Sequence, residues 1–454
     1  MTTQPVEKLV CKMAGPTIVI MMVSAMYNMA DTYFVGFLGT SATAAVGVSF
    51  SLMAVIQAIG FFFGHGSGNS ISRMMGAQNT GDAEKMASTG FFSAFITGLV
   101  FAAAGLIFLA PLARFLGATD TSLPYARTYL RFILLGMPFM TSSLVLNNLL
   151  RFQGSAFIGM IGVTSGAVLN IILDPLFIFA LGMGLKGAAL ATMISQMVSC
   201  ALLFIIGNTG RQNIRITPRN FSIRRETYRE MFRGGIPSLL RQGLLSLSTV
   251  FLNRAAGVYG DAAIAAITIV NRVFLLAFSA LIGWGQGFQP VCGFNYGAGR
   301  YDRVKKAFWF CVYTATAVLS VLGVIAFIFA PQIITIFRKN DPEVISVGSF
   351  ALRAWSLTLP LSAWIVMNNM MLQTIGKALA ASILALARQG LFLISFLFIL
   401  VPFLGIRGIQ LCLPLADFCT FLLALPMGIS ALGKDLAEDP AGLREKGGPE
   451  NRGP

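Results

Sequence analysis

The sequence predicts an all-α integral membrane protein of twelve transmembrane helices, built as two six-helix bundles related by a pseudo-two-fold axis. Three observations carry this. Charged residues make up 11 % and hydrophobic residues 56 % of the 454 residues, whereas about a quarter of a soluble chain is charged. Twelve apolar runs are long enough to cross ~30 Å of hydrocarbon at ~1.5 Å per residue. Finally, the chain repeats itself. At an offset of 221, Pro16 aligns with Pro237, Gly36 with Gly257, Gly39 with Gly260, Gly64 with Gly285, Gly66 with Gly287, and Gly76-Ala77 with Gly297-Ala298. At 222, Pro138 aligns with Pro360 and Gly154 with Gly376. Duplicated, Gly/Pro-interrupted apolar segments mark a secondary transporter whose binding site lies where the repeats meet.

In chain order, the first repeat supplies runs near 12–38, 44–71, 87–112, 130–151, 157–181 and 187–208. The second supplies 235–258, 262–289, 307–330, 353–374, 381–403 and 408–431. These give an N-terminal lobe over 1–209, an Arg-rich linker over 210–234, a C-terminal lobe over 235–433 and a disordered tail over 434–454. Residues before Leu9 are too few for a cleavable signal, so the first run is expected to stay in the mature chain.

Orientation follows from Lys and Arg. With the ends, the linker and every second loop on one side, that side collects 21 of the 33 cations. The opposite loops hold eight: Arg114, Arg127, Arg131, Lys186, Arg338, Lys339, Arg353 and Arg407. The richer side is expected to be cytoplasmic, with both termini inside and the chain multi-pass in the plasma (inner) membrane. Six spans per lobe make the repeat parallel, its axis along the membrane normal. The net charge of +15 is thus topological, and no nucleic-acid partner is expected.

Three of the eighteen carboxylates fall inside spans: Asp31, Asp174 and Asp417. A bare carboxylate in hydrocarbon costs several kcal/mol, so each needs a partner or a task. Asp31 lies about two turns from the outer end of span 1, and Asp174 about two turns from that of span 5. Thr192 lies about one and a half turns into span 6, and Asn170, four residues before Asp174, shares its helix face. The four can meet at one depth. Oxygen ligands suit Na⁺, and paired buried carboxylates suit a proton, because two like charges at close range cannot both ionise. The second repeat has Leu252 opposite Asp31 and carries Arg241, Arg254, Arg272 and Arg388 within spans instead. An Asp417–Arg272 or Asp417–Arg388 ion pair is expected there, a structural pair in preference to a second coupling site. Pro16 breaks a helix hydrogen bond in span 1 and offers a hinge.

Other signals carry less. Gly182-Met-Gly184-Leu-Lys-Gly187 spells G-x-G-x-x-G, but no strand precedes it, so a dinucleotide site is not expected. His65 alone cannot make a zinc site, and its flanking Gly64, Gly66 and Gly68 read as close helix packing. Six cysteines form no C-x-x-C pair and read as buried thiols. No catalytic dyad or metal cluster points to an enzyme, and no cofactor is expected beyond Na⁺ or H⁺ as the coupling ion.

From about Pro5 to Ser430 the chain resembles the multidrug and toxic compound extrusion (MATE) family, of the DinF-like and MepA-like branch. The residues that carry this are Pro16 with Asp31-Thr32, Arg73-Met-Met-Gly76, Arg151-Phe-Gln-Gly154, and Asn170-Ile-Ile-Leu-Asp174-Pro175. They continue with Gly187-Ala-Ala-Leu-Ala-Thr192, Gln289-Pro290 through Asn295-Tyr-Gly297-Ala, and Pro414-Leu-Ala-Asp417. The resemblance implies a V-shaped pair of bundles exporting organic, mostly cationic amphipathic compounds in exchange for Na⁺ or H⁺ by alternating access. It implies a cation site at Asp31, Asn170, Asp174 and Thr192, matching the group assembled from depth. Where another large branch has a span 7 Glu, this chain has Leu245. Arg241 and the Pro-x-x-Asp of span 12 resemble the MepA-like exporters. A monomer is expected. The alternative is a flippase for lipids or lipid-linked oligosaccharides on a related scaffold, which would need a cationic central cavity lined by Arg241, Arg272 or Arg388.

Overall fold

The computed structural model describes residues 1–209, 214–338 and 341–436, apart from the side chains at 25, 28, 29, 32, 40 and 261. Arg211 of the linker, Lys339, the side chain of Thr32 and the tail from 437 lie outside the described residues.

Twelve long helices follow one another as the apolar runs require. They are α1 (Val6–Gly36), α2 (Thr40–Gly76), α3 (Thr80–Ile107), α4 (Leu123–Phe152), α5 (Ala156–Pro175) and α6 (Leu185–Thr209). The second set is α7 (Arg225–Gly257), α8 (Asp261–Gly297), α9 (Tyr301–Ile328), α10 (Pro342–Thr358 and Leu361–Thr374), α11 (Ala378–Leu404) and α12 (Ile406–Ser430). Among the described residues, nine helices are long and apolar enough to cross a membrane, or ten with α10 taken as one span bent by 55°. Pro360 stands at that bend, where its ring cannot continue the helix. The loop after α5 needs Gly182 and Gly184 because their φ angles are 63° and 56°, a region that disfavours side chains.

The structure shifts several boundaries, the largest at α10, which begins at Pro342 where 353 was expected. Helix α7 begins at Arg225, so the last ten residues of the expected 210–234 linker are helical. Of the tail expected from 434, Lys434 and Asp435 continue a helical turn and Leu436 is buried. The ion pair of Asp435 with Lys377 at 2.7 Å fixes that turn. Helix α4 starts at Leu123, seven residues before the expected 130.

The lobes also exchange their first turns. Val6, Leu9, Val10 and Met13 of α1 pack into the C-lobe core with Phe288 and Phe308. Met231 of α7 packs into the N-lobe core with Phe62 and Leu150. Beyond the duplicated prolines, Pro16 and Pro237, α1 still touches α8 at Ile18 and α7 still bonds to α2 through Gln242.

The duplicated glycines build the seal between the lobes on the side that holds the termini. A methyl group at Gly66 would strike the carbonyl of Met231, and one at Gly287 would strike the backbone of Ala14. At the crossing of α2 and α8, Gly76 faces the Phe294 carbonyl and Gly297 faces the Arg73 carbonyl. Only glycine permits this backbone approach. Side chains reinforce it. His65 Nδ1 meets Ser238 Oγ at 2.7 Å, Thr374 Oγ1 donates to Asn69 Oδ1 at 2.8 Å, and Arg151 donates to Gln286. Toward the opposite, far side, the last hydrogen bond joining the lobes among the described residues is Gln242 Nε2 to Gln57 Oε1 at 3.3 Å. Beyond it, exposed residues of α1 (Met26, Tyr33), α2 (Ser51, Val55), α7 (Ser246, Asn253) and α8 (Arg272, Leu276) mark a cleft between the lobes.

Candidate functional site

In the N-lobe, α5 and α6 are brought together by small residues: a side chain on Gly166 would meet Ser195 and Ser199. That approach puts the polar residues of the two helices face to face. Asn170 is the link. In the orientation that satisfies both ends of its amide, Nδ2 donates to Asp174 Oδ2 at 3.2 Å and Oδ1 accepts from the Thr192 backbone N–H at 3.2 Å. Asp174, Asn170 and Thr192 are buried.

Asp31 comes from α1, which runs along α5 after leaving the seal. It is buried, and its Oδ2 accepts from the Tyr129 hydroxyl at 3.1 Å. Its Oδ1 has no hydrogen-bond partner among the described residues. Asp31 and Asp174 lie within electrostatic reach of each other. The Tyr27 hydroxyl, one turn before Asp31, is within hydrogen-bonding reach of Thr192 and Gln196. All four residues expected at one depth are therefore in one cluster. Among the described residues, no Lys or Arg pairs with either carboxylate. One turn toward the termini side, Tyr27, Gln57, Ser143, Gln196 and Ser199 line a cavity of about 100 Å³.

The C-lobe treats its buried Asp417 differently. Arg388 grips it with Nε to Oδ1 at 2.6 Å and an Nη to Oδ2 at 3.3 Å, and Trp355 Nε1 donates to Oδ2 at 3.3 Å. The guanidinium lies over the Phe278 ring at 4.6 Å, and Trp355 stacks on Phe274 at 3.8 Å. A π-helical stretch, Ala387–Ile394, turns Arg388 and Gln389 both inward, and Gln389 accepts from Ser248 at 2.7 Å. Such widened turns let successive side chains share one face. Asp417 is thus neutralised and fully hydrogen-bonded. Of the two expected pairings, Asp417–Arg388 forms and Asp417–Arg272 does not.

The four arginines expected within C-lobe spans differ in their surroundings. Arg388 is buried, and Arg241 is half-buried within electrostatic reach of Arg151 and His65. Arg272 and Arg254 are exposed, because α8 and α7 turn those positions out of the lobe. Pro16 stands between two contacts of α1 with α8, at Ala14 and Ile18. Helix α1 continues unbroken through it, with the Lys12 carbonyl deprived of its usual donor.

Three residues were missed in the sequence: Tyr27, Tyr129 and Trp355. Tyr129 lay one residue outside the expected fourth span. Gln196, four residues after Thr192 on one helix face, was a usable signal.

Comparison with known proteins places these observations in context. A family model described as MatE matches residues 16–176 and 237–399. The Multidrug export protein MepA of Staphylococcus haemolyticus is 29 % identical over 409 residues, 90 % of each chain. That of Staphylococcus aureus strain MW2 is 30 % identical over 430 residues, 93 % of each chain. Among solved structures, an "outward-facing conformation of a multidrug resistance MATE family transporter of the MOP superfamily" superposes with a TM-score of 0.88 at 28 % identity, covering 94 % of this chain and 96 % of that one. A MATE protein "in the bent conformation" gives 0.89 at 29 %, covering 96 % and 98 %. A Pyrococcus furiosus Vc1 transporter, described by a "reverse polarity of binding pocket", gives 0.88 at 29 %, covering 95 % and 97 %.

Proposed function

The chain belongs to the MatE family, and from that premise we propose that it is a secondary antiporter exporting amphipathic organic compounds in exchange for a cation bound in the N-lobe. The relatives named as multidrug export proteins support the export reading. One observation carries the coupling: two buried carboxylates, Asp31 and Asp174, share a site without a compensating cation, while Asp417 has Arg388. Isolated buried charge is expensive, so such a pair takes up a proton or a metal cation whenever it is closed off from water. Asp31 Oδ1, the Asp174 carboxylate, the Asn170 amide oxygen and the Thr192 hydroxyl are hard oxygen donors that suit Na⁺, and the two carboxylates alone suffice for H⁺.

The mechanism follows from the two faces of the cleft. With the termini side cytoplasmic, the sealed state opens its cleft outward. Cation entry between α1, α5 and α6 draws Asp31 toward Asp174 and bends α1 at Pro16, where the Lys12 carbonyl lacks its helical donor. The bend narrows the cleft and expels the exported compound. Loss of the cation to the cell interior completes the cycle. The protein acts as a monomer in the plasma membrane, as both lobes of the cleft come from one chain.

The test is flux in proteoliposomes under separately imposed Na⁺ and H⁺ gradients. Wild type should move a fluorescent amphiphile against its gradient with one of the two, and Asp174→Asn should insert normally yet lose coupled flux. Full flux by Asp174→Asn at equal protein level would refute the coupling site. The flippase reading keeps the exposed Arg272 and the half-buried Arg241, and loses Arg388 to its internal pair.

A further inference from the structure

Arg272 lies eleven residues from the N-terminal end of α8, about 16 Å along the helix at ~1.5 Å per residue. It is exposed there, and no hydrogen bond or ion pair holds it among the described residues. An arginine at that depth is stable only where it meets water or a charged partner. Its direction is fixed by register. Gly283 is eleven residues on, close to three full turns, and a side chain on Gly283 would stand 2.8 Å from Ile18 Cα of α1. Arg272 therefore sits on the face of α8 turned toward the N-lobe, beyond the point where the lobes part. It points into the cleft.

The neighbouring helix of the same lobe, α7, is polar here and also carries positive charge. On α7, Ser246, Thr249 and Asn253 are exposed along one helical row with Gln242, the residue that bridges to Gln57. Arg254 is exposed beside them. Neither α1, α2, α7 nor α8 presents an exposed carboxylate to the cleft among the described residues. Among the described residues, Asp31 and Asp417 are buried inside their lobes.

One turn from Arg272 on the same row, Leu276 joins Met22, Ala280, Leu322 and Leu359 around an apolar cavity of about 340 Å³. That volume is at the lower end of the range for drug-sized ligands. A cationic head site thus borders an apolar body site.

We propose that the cleft selects amphipathic anions, with a carboxylate, sulfonate or phosphate held by Arg272 and the apolar body in the adjoining cavity. The expectation of mostly cationic substrates came from family resemblance, and the charge of this cleft opposes it. The proposal rests on the reading that the cleft is the substrate path. It does not depend on which ion drives transport.

The test uses two fluorescent probes that share one dansyl-alkyl body and differ only in the head group, a sulfonate or a trimethylammonium. Equilibrium binding is measured on the purified full chain in nanodiscs of zwitterionic lipid. Wild type should bind the sulfonate about tenfold more tightly than the ammonium, as expected for one charge pair in a partly dry site. Arg272→Gln should erase that preference, and Arg272→Lys should keep most of it, which separates loss of charge from loss of fold. A second arm follows transbilayer movement of fluorescent phosphatidylglycerol in vesicles. Movement that falls in Arg272→Gln would identify the anion as a lipid head group, and sulfonate binding without lipid movement would identify a soluble compound. Tighter ammonium binding in wild type, or an Arg272→Gln effect equal for both heads, would overturn the proposal. Asp174→Asn should retain the sulfonate preference, so failure of the coupling reading and failure of this one are told apart.

Discussion

Replacing Gly287 with alanine loads a single state of the cycle. The new methyl group would stand 2.5 Å from the backbone nitrogen of Ala14 and 2.6 Å from its Cβ. Ordinary contact begins near 3.4 Å, so α1 and α8 must part by about 1 Å, and a backbone neighbour cannot swing away as a flexible side chain would. Overpacking of this kind costs ~1–3 kcal/mol. The penalty falls on the state in which α1 lies against α8 at this point, the one sealed at the termini side. The sealed population should then fall ~5- to ~150-fold relative to the alternative. Nitroxide labels at Ser51→Cys on α2 and Thr249→Cys on α7, both exposed on facing lobes, report the far side by pulsed electron resonance once Cys11 and Cys419 are replaced. The wild type should give a long distance, and Gly287→Ala should add a shorter one as the cleft closes. An unchanged distribution in a folded variant would refute the assignment of the duplicated glycines to a state-specific seal.

Two further outcomes follow from the same structure. Pro16→Ala should restore the hydrogen bond to the Lys12 carbonyl and stiffen α1, slowing turnover severalfold while substrate affinity changes little. A collapse in binding with unchanged turnover per bound substrate would contradict the hinge. Asp417→Asn should leave Arg388 buried without its counter-charge and lower stability by ~3–5 kcal/mol, seen as a drop in Tm, while the ion dependence of transport persists. An unchanged Tm with lost ion dependence would place coupling in the C-lobe.

How far the sequence reached depended on what each residue does. The seal was legible because backbone approach admits only glycine, so Gly66, Gly76, Gly287 and Gly297 recur in both repeats. Asp31, Asn170, Asp174 and Thr192 were legible because polar groups stand out in apolar runs and helical spacing assigns their faces. Tyr27, Tyr129 and Trp355 were not, since an aromatic ring in such a run reads as packing and its polar atom adds no visible signature. The choice between Arg272 and Arg388 needed the rotation of α8 and the widened turn of α11, neither of which periodicity encodes. The exchange of first turns between lobes was hidden because the residues that carry it, Val6, Leu9, Val10, Met13 and Met231, are merely apolar, and nothing in an apolar side chain names the lobe it enters.

The central claim is that the exported compound and the cation compete through the N-lobe carboxylates. Linkage makes the effect mutual: a cation that favours the low-affinity state weakens substrate binding by the factor by which substrate weakens cation binding. The most direct measurement is substrate affinity titrated against Na⁺ at fixed pH, and against pH at fixed Na⁺, in wild type, Asp31→Asn and Asp417→Asn. Affinity should fall as the coupling ion rises in wild type and in Asp417→Asn, and should be flat in Asp31→Asn. An ion dependence that survives in Asp31→Asn and disappears in Asp417→Asn would contradict the account and move the coupling site to the C-lobe.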